Sequence, residues 1–234
     1  MNRAPIVLAV DTSDLNTAKQ WVKATDGVIS VVKLGLEFFL TFGHDGVQQI
    51  RDETDSDIFL DLKLHDIPHT VAGAARAVSH LNPKYLTVHA SGGAAMVQAA
   101  AKEMPNSSIT GVTILTSLSE EDVVDIGFKA NALSSAVGLA KVAVEGGAKA
   151  IVCSPLEIEA IRSVVGSAIT IITPGVRPLD SVGGDDQNRT LTPAAAIEKG
   201  ANLLVIGRPI TSRFAQGATA MRERAIEIAE EILK

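Results

Sequence analysis

The chain has a single cysteine, Cys153, so no disulfide can form within it. A lone thiol of this kind reads as a buried residue of a protein kept in a reducing compartment. Basic residues are in deficit. Lysines and arginines number 21 against 27 acids, and the formal net charge is −6. That balance removes any general attraction to nucleic acid or to an anionic membrane, so an anionic ligand must be held by local positive charge. No apolar run approaches the roughly 20 residues needed to span a bilayer. The opening Met1-Asn2-Arg3-Ala4-Pro5 leads into an apolar stretch at 6–10 that is too short for a secretory signal. A cytoplasmic location is therefore expected. No linker, low-complexity tract or block of like charge divides the 234 residues, which suits one domain over 1–234. With 46% hydrophobic and 21% charged residues, the composition is that of a globular protein and argues against disorder.

Short β-branched runs alternate with longer amphipathic segments. The runs predict strands over 6–10, 28–34, 58–63, 85–89, 109–115, 150–153, 169–173 and 203–206. Helical spacing predicts helices over 15–24, 46–53, 70–81, 94–104, 131–145, 156–165 and 193–199, with a long terminal helix over 212–233. Ser13 or Asp14 can cap the first helix, Thr192-Pro193 is a helix start, and Gly146-Gly147 suits a helix exit. Strands alternating with helices imply parallel βα units, and eight is the number that closes a TIM (β/α)8 barrel. An open doubly wound sheet is the competing arrangement. One long irregular stretch, 175–190, is rich in Gly, Asp and polar residues, and loops of that length in a compact domain are usually functional or mobile.

In a TIM barrel the active site lies at the carboxyl ends of the strands. Those ends carry Asp11, Lys33, Asp61 with Lys63, His89, Thr116 with Ser117, Thr173-Pro174-Gly175 followed by Arg177, and Gly207-Arg208. The densest of them is Asp61-Leu62-Lys63-Leu64-His65-Asp66-Ile67-Pro68, where three charges emerge from an apolar strand. Charges among such residues are costly unless paired or used. Side chains alternate along a strand, so Asp61 and Lys63 share one face and Leu62 and Leu64 the other. Asp66 lies beyond, where Pro68 can open a helix. Two acids and two lysines on the first three strands can form a nearly neutral cluster with perturbed titration. A stabilising ion-pair network without chemistry is the plain alternative. Gly207, Arg208 and the following Pro209 suggest an anion site of the kind TIM barrels build after their last two strands, with Gly175 and Arg177 opposite. His65 and His69 have the spacing of a zinc pair, but Pro68 between them starts a helix, and no third ligand stands at a telling distance. No metal site is expected.

Read together, these residues resemble the orotidine 5'-phosphate decarboxylase family. The likeness runs through Val10-Asp11, Lys33-Leu34-Gly35, Phe59-Leu60-Asp61-Leu62-Lys63-Leu64-His65-Asp66-Ile67-Pro68, Leu115-Thr116-Ser117, Thr173-Pro174-Gly175-Val176-Arg177-Pro178, Asp186-Gln187, Arg189, Leu191-Thr192-Pro193 and Gly207-Arg208-Pro209-Ile210. A small departure is His69, where many bacterial relatives have Asn. The resemblance implies a barrel homodimer with active sites at the dimer interface, acting without cofactor or metal on a nucleotide substrate. It also implies a charged tetrad of Lys33, Asp61, Lys63 and Asp66, with Asp66 and Thr70 reaching the partner subunit's site. Lys63 would stabilise a ring carbanion and return a proton, Asp61 would lie beside the departing carboxylate, and Lys33 and Asp66 would hold Lys63. Asp11 and Lys33 would bind the ribose, Thr116 or Ser117 the pyrimidine edge, and Gln187, Gly207 and Arg208 the phosphate. Ile67 and Pro174 would complete the substrate site, and Arg177 would support the phosphate loop. No orotate phosphoribosyltransferase is expected to be fused to the barrel. Two readings compete: a magnesium-dependent sugar-phosphate decarboxylase of the same superfamily, and a non-catalytic nucleotide-binding barrel.

Overall fold

Eight strands follow one another around a closed barrel in the computed structural model, which describes residues 3–178 and 191–233. They are β1 (Ala4–Val10), β2 (Ile29–Leu34), β3 (Asp57–Leu64), β4 (Tyr85–His89), β5 (Ser108–Val112), β6 (Ala150–Val152), β7 (Thr170–Thr173) and β8 (Leu203–Ile206). Every neighbouring pair is parallel, and β8 pairs back onto β1. Closure excludes the open doubly wound sheet and fixes a TIM barrel. Between and after the strands lie α1 (Leu15–Thr25), α2 (Leu36–Arg51), α3 (Pro68–Ser79), α4 (Ala94–Glu103), α5 (Glu120–Asp125), α6 (Ala132–Glu145), α7 (Ile158–Val165), α8 (Pro193–Glu198), α9 (Arg208–Thr211) and α10 (Ala218–Leu233).

Alternation sorts the side chains into two apolar layers. Val7, Val31, Phe59, Tyr85, Ala150, Ile172 and Leu203 pack inside the barrel. Their strand neighbours, such as Leu8, Val32, Leu60, Leu86, Ile151, Ile171 and Leu204, face the helices and join the larger core. Phe59 is 1% exposed at the centre of the inner layer, and truncating such a ring costs about 3–5 kcal/mol. At β5 the helix layer comes very close: a Cβ on Gly111 would stand 2.5 Å from Ala143 Cβ of α6, so only glycine fits there. Cys153, just past β6, is buried, and burial pushes its thiol far above the ordinary value.

Several element boundaries differ from the periodicity reading. Helix α2 begins at Leu36, not near residue 46, because two helical runs join across Gly43, whose φ of 59° a side chain would resist. The terminal helix begins at Ala218 and is preceded by a 3-10 turn, Ser212–Gln216, with Gly217 at φ 106° between them. Strand β5 ends at Val112 instead of running to 115, since Ile114 and Leu115 leave the ladder to line the cavity at the barrel mouth. The short α5 was not anticipated, although Ser119 and Asp122 form a reciprocal capping box that the spacing announces. The expected caps are present: Asp14 accepts the Thr17 N–H, and Thr192 accepts that of Ala195.

At the amino-terminal end of the barrel, Arg162 of α7 donates to the carbonyls of Gly166, Ile169 and Gly200 and to Asn202 Oδ1. Asn202 Oδ1 also accepts the Ile171 N–H of β7. One guanidinium thus ties the starts of β7 and β8 to α7. Among the described residues, no helix is long and apolar enough to cross a membrane.

Candidate active site

A cavity of about 260 Å³ opens at the carboxyl ends of the strands. Register builds its charged wall. Ala9 of β1 pairs with Lys33 of β2, and Lys33 pairs with Phe59 of β3, so the lysine projects above the Phe59 layer toward Asp61 on the next strand. Between β3 and β4 the register breaks. Leu60 pairs with Leu86 and Leu64 with Val88, so Asp61, Leu62 and Lys63 together face one residue, Thr87. This is a β-bulge, a device that re-aims side chains beside active sites. Lys63 sits in it at φ 48°, a left-handed conformation costing a non-glycine residue about 1–2 kcal/mol.

The bulge brings the charges together. Lys63 Nζ donates to Asp61 Oδ1 at 2.8 Å, Lys33 Nζ stands 3.3 Å from Asp61 Oδ2, and Asp11 Oδ1 is 3.8 Å from Lys33 Nζ. Thr87 Oγ1, wholly buried, donates to Asp61 Oδ1 at 3.0 Å and accepts the Lys63 backbone N–H at 2.8 Å. Burial works against the Asp61 carboxylate, but Lys33 and Lys63 and the hydrogen bonds from Lys63 and Thr87 outweigh it. The group titrates below its ordinary range. Taking such charges out of water costs on the order of a few kcal/mol per ion. The arrangement is therefore poorly explained as stabilisation.

Across the cavity stand Arg177, buried, with its N–H on Leu191 O, and Arg208, which opens α9 directly after Gly207. Four basic side chains and two acids line a cavity in a chain of net charge −6. That is the local positive charge an anionic ligand requires. Ala9, Phe59, Val112, Val152 and Val205 make an apolar floor.

Of the residues singled out in the sequence, Asp11, Lys33, Asp61, Lys63, Thr116, Pro174, Arg177, Gly207 and Arg208 line this one cavity. Ser117 lies beside it in the loop after β5, outside the lining. Asp66, Ile67 and Thr70 do not line it either. They are exposed around the start of α3, where Asp66 Oδ1 accepts the Ile67 N–H. Gln187 lies outside the described residues. Thr87 stands in the middle of β4, not at a strand end, and its one signal in the sequence is a hydroxyl at an inward position of the apolar Tyr85-Leu86-Thr87-Val88-His89. His65 and His69 are separated by the start of α3, and the His65 ring meets His89 instead, centroids 5.3 Å apart. Burial, then the neighbouring His65 and Lys63, lower the His89 pKa against a weaker pull from Asp61. Among the described residues, no three His, Cys, Asp or Glu side chains converge as metal ligands.

A closed barrel whose strand ends carry this charged cavity defines a TIM-barrel enzyme. The model of the orotidine 5'-phosphate decarboxylase / HUMPS family matches residues 4–222. The chain belongs to that family. It is similar to the orotidine 5'-phosphate decarboxylase of Thermobifida fusca, with 50% identity over 217 residues and 93% of each chain covered. To that of Frankia casuarinae it is 42% identical, covering 93% of this chain and 85% of the relative. The crystal structure of orotidine 5'-phosphate decarboxylase from Lactobacillus acidophilus superposes with a TM-score of 0.80 at 31% identity, covering 97% of this chain and 99% of that one.

Proposed function

We propose that this site removes carbon dioxide from orotidine 5'-phosphate to give UMP in de novo pyrimidine synthesis, without a cofactor, in a cytoplasmic protein whose residues 1–234 form one domain. The observation that carries this reading is the single Asp61 carboxylate held between Lys33 and Lys63 in a cavity with basic residues in excess. Family membership supplies the substrate.

In the proposed reaction the bond between the ring carbon and its carboxylate breaks, and the electron pair stays on the ring. The Lys63 ammonium meets that charge as it develops and then transfers a proton to the same carbon, leaving an amine that solvent reprotonates. Asp61 lies beside the departing carboxylate and favours its loss by repulsion. Asp11 and Lys33 hold the ribose, Thr116 or Ser117 the pyrimidine edge, with Pro174 against the substrate, while Ile67, outside its own chain's cavity, meets the substrate of the partner subunit's site. Gly207, Arg208 and Gln187 take the phosphate, and Arg177 braces that end.

Asp66 and Thr70 serve the partner subunit's site in a homodimer. Their exposure outside their own chain's cavity supports this reading, as does the large exposed apolar surface of the adjacent Ile67.

The test is ultraviolet loss of orotidine 5'-phosphate by the purified protein, with and without a chelator. Turnover unaffected by chelation is expected. Activity lost on chelation would point to the magnesium-dependent sugar-phosphate decarboxylases, and binding without turnover to a nucleotide-binding barrel.

A further inference from the structure

Thr87 touches both ends of the Asp61–Lys63 pair yet does not line the cavity. It is also the one residue of β4 set against the three of β3 that carry the pair. Its two hydrogen bonds have unambiguous direction. A backbone amide can only donate, so the Lys63 N–H takes a lone pair of Oγ1. The single hydroxyl hydrogen is then left for Asp61 Oδ1, the same oxygen that receives Lys63 Nζ. With Thr87 wholly buried, water is poorly placed to replace either bond, and an unpaired buried amide is expensive.

We infer that Thr87 is a positioning residue for the proposed decarboxylation, whose hydroxyl fixes the β3 bulge so that the Lys63 ammonium and the Asp61 carboxylate meet the substrate at one orientation. This rests on the function proposed above. One bond holds Lys63 in its left-handed backbone conformation, which nothing in the local sequence favours. The other stops the Asp61 carboxylate from rotating about its terminal torsion, leaving Oδ1 to Lys63 and Oδ2 to Lys33. Because the hydroxyl donates, it also disfavours a proton on that oxygen and helps keep the acid ionised.

The test compares Thr87→Val, which keeps the shape and removes both bonds, with Thr87→Ser, which keeps the hydroxyl. For Thr87→Val, kcat on orotidine 5'-phosphate falls about 10–100-fold, the range produced by small misplacements of reacting groups, with KM little changed. The acid limb of its pH profile moves to higher pH. Thr87→Ser restores both. Wild-type kcat and an unmoved acid limb in Thr87→Val overturn the inference. So does Thr87→Ser as impaired as Thr87→Val, since the methyl group would then be what matters. If Thr87→Val fails to fold, Thr87→Ala is read by the same criteria.

Backbone hydrogen exchange at the Lys63 amide gives a readout free of any substrate. It accelerates in Thr87→Val and not in Thr87→Ser if the inference holds, and an unchanged rate in both overturns it. Should the wild-type protein fail to turn over orotidine 5'-phosphate, the proposed function falls on its own, and this exchange measurement still decides the role of Thr87.

Discussion

Lys63 Nζ and Asp61 Oδ1 stand 2.8 Å apart although the two residues are next-nearest neighbours on one strand. In a regular strand, side chains two apart stand side by side on one face, separated by two rises of about 3.3 Å. Here the bulge folds the backbone between them, so one carboxylate closes on its own strand's lysine with one oxygen and on the next strand's Lys33 with the other. Both oxygens of the Asp61 carboxylate are thereby held, Oδ1 by Lys63 and Thr87 and Oδ2 by Lys33.

Replacing Lys63 by alanine is expected to lower turnover of orotidine 5'-phosphate by at least about a thousandfold, since the proposed charge stabilisation and proton delivery are lost together. Affinity for UMP, measured by calorimetry, stays within about tenfold because the proposed phosphate and ribose contacts remain. Near-normal turnover in this variant would rule out Lys63 as the proton donor.

Subunit mixing tests the sharing of sites. Lys63→Ala and Asp66→Asn proteins are each expected to be inactive; with the sites shared as proposed, every hybrid dimer formed on exchange carries one site with both residues intact. Random pairing then restores about a quarter of wild-type activity. Mixtures that exchange subunits, as followed by differential tagging, and stay inactive would place Asp66 in its own chain's site.

The depressed pKa of His89 makes a prediction for stability. Below its ordinary value of 6.5, the unfolded imidazole takes up a proton before the folded one does, so the unfolded state binds more protons and stability falls as pH falls. The contribution is complete above 6.5 and is lost as pH drops through the folded value. Urea midpoints of the wild-type protein should therefore decline on acidification, and those of His89→Asn less steeply. Parallel slopes would show that His89 is not the group responsible.

Arg162→Ala removes the guanidinium that collects the Gly166, Ile169 and Gly200 carbonyls and Asn202. A loss of about 2–4 kcal/mol is expected, the range for stranding partly buried acceptors of a charged donor. Thermal midpoints should fall by roughly 5–10 °C for a chain of this size, while kcat per folded molecule stays unchanged because the cavity lies at the opposite end of the barrel. A variant as stable as wild type would remove Arg162 from the architecture of that end.

The eight strands were legible because two periodicities alternate without interruption, and most of the candidate site was legible because TIM barrels gather function at strand ends. What escaped was geometry that no period encodes. Asp61 and Lys63 were expected to share a face of a regular strand; they do line one cavity, but through a bulge that no glycine announces. Thr87 looks like any β-branched residue of β4 until its partner strand supplies three residues against it. Helix α2 was legible only from Gly46 onward, because its earlier turns join the rest across the kink at Gly43, and Gly46 itself packs against Phe42 and Phe38. Asp66 lies beyond the strand in the sequence, before the helix that Pro68 opens, and in the fold it is exposed and outside the cavity lining.

The three-against-one pairing of β3 with β4 makes this segment sensitive to length more than to composition. Exchanging one side chain in it leaves the count intact, and its neighbours keep their faces. Removing one residue changes the parity of everything beyond, turning either the lysine or Leu64 to the wrong side of the wall. In a lineage that drifts freely at its surface loops, the stretch from Leu60 to Leu64 is therefore expected to vary by substitution alone and to keep its spacing as strictly as its charges.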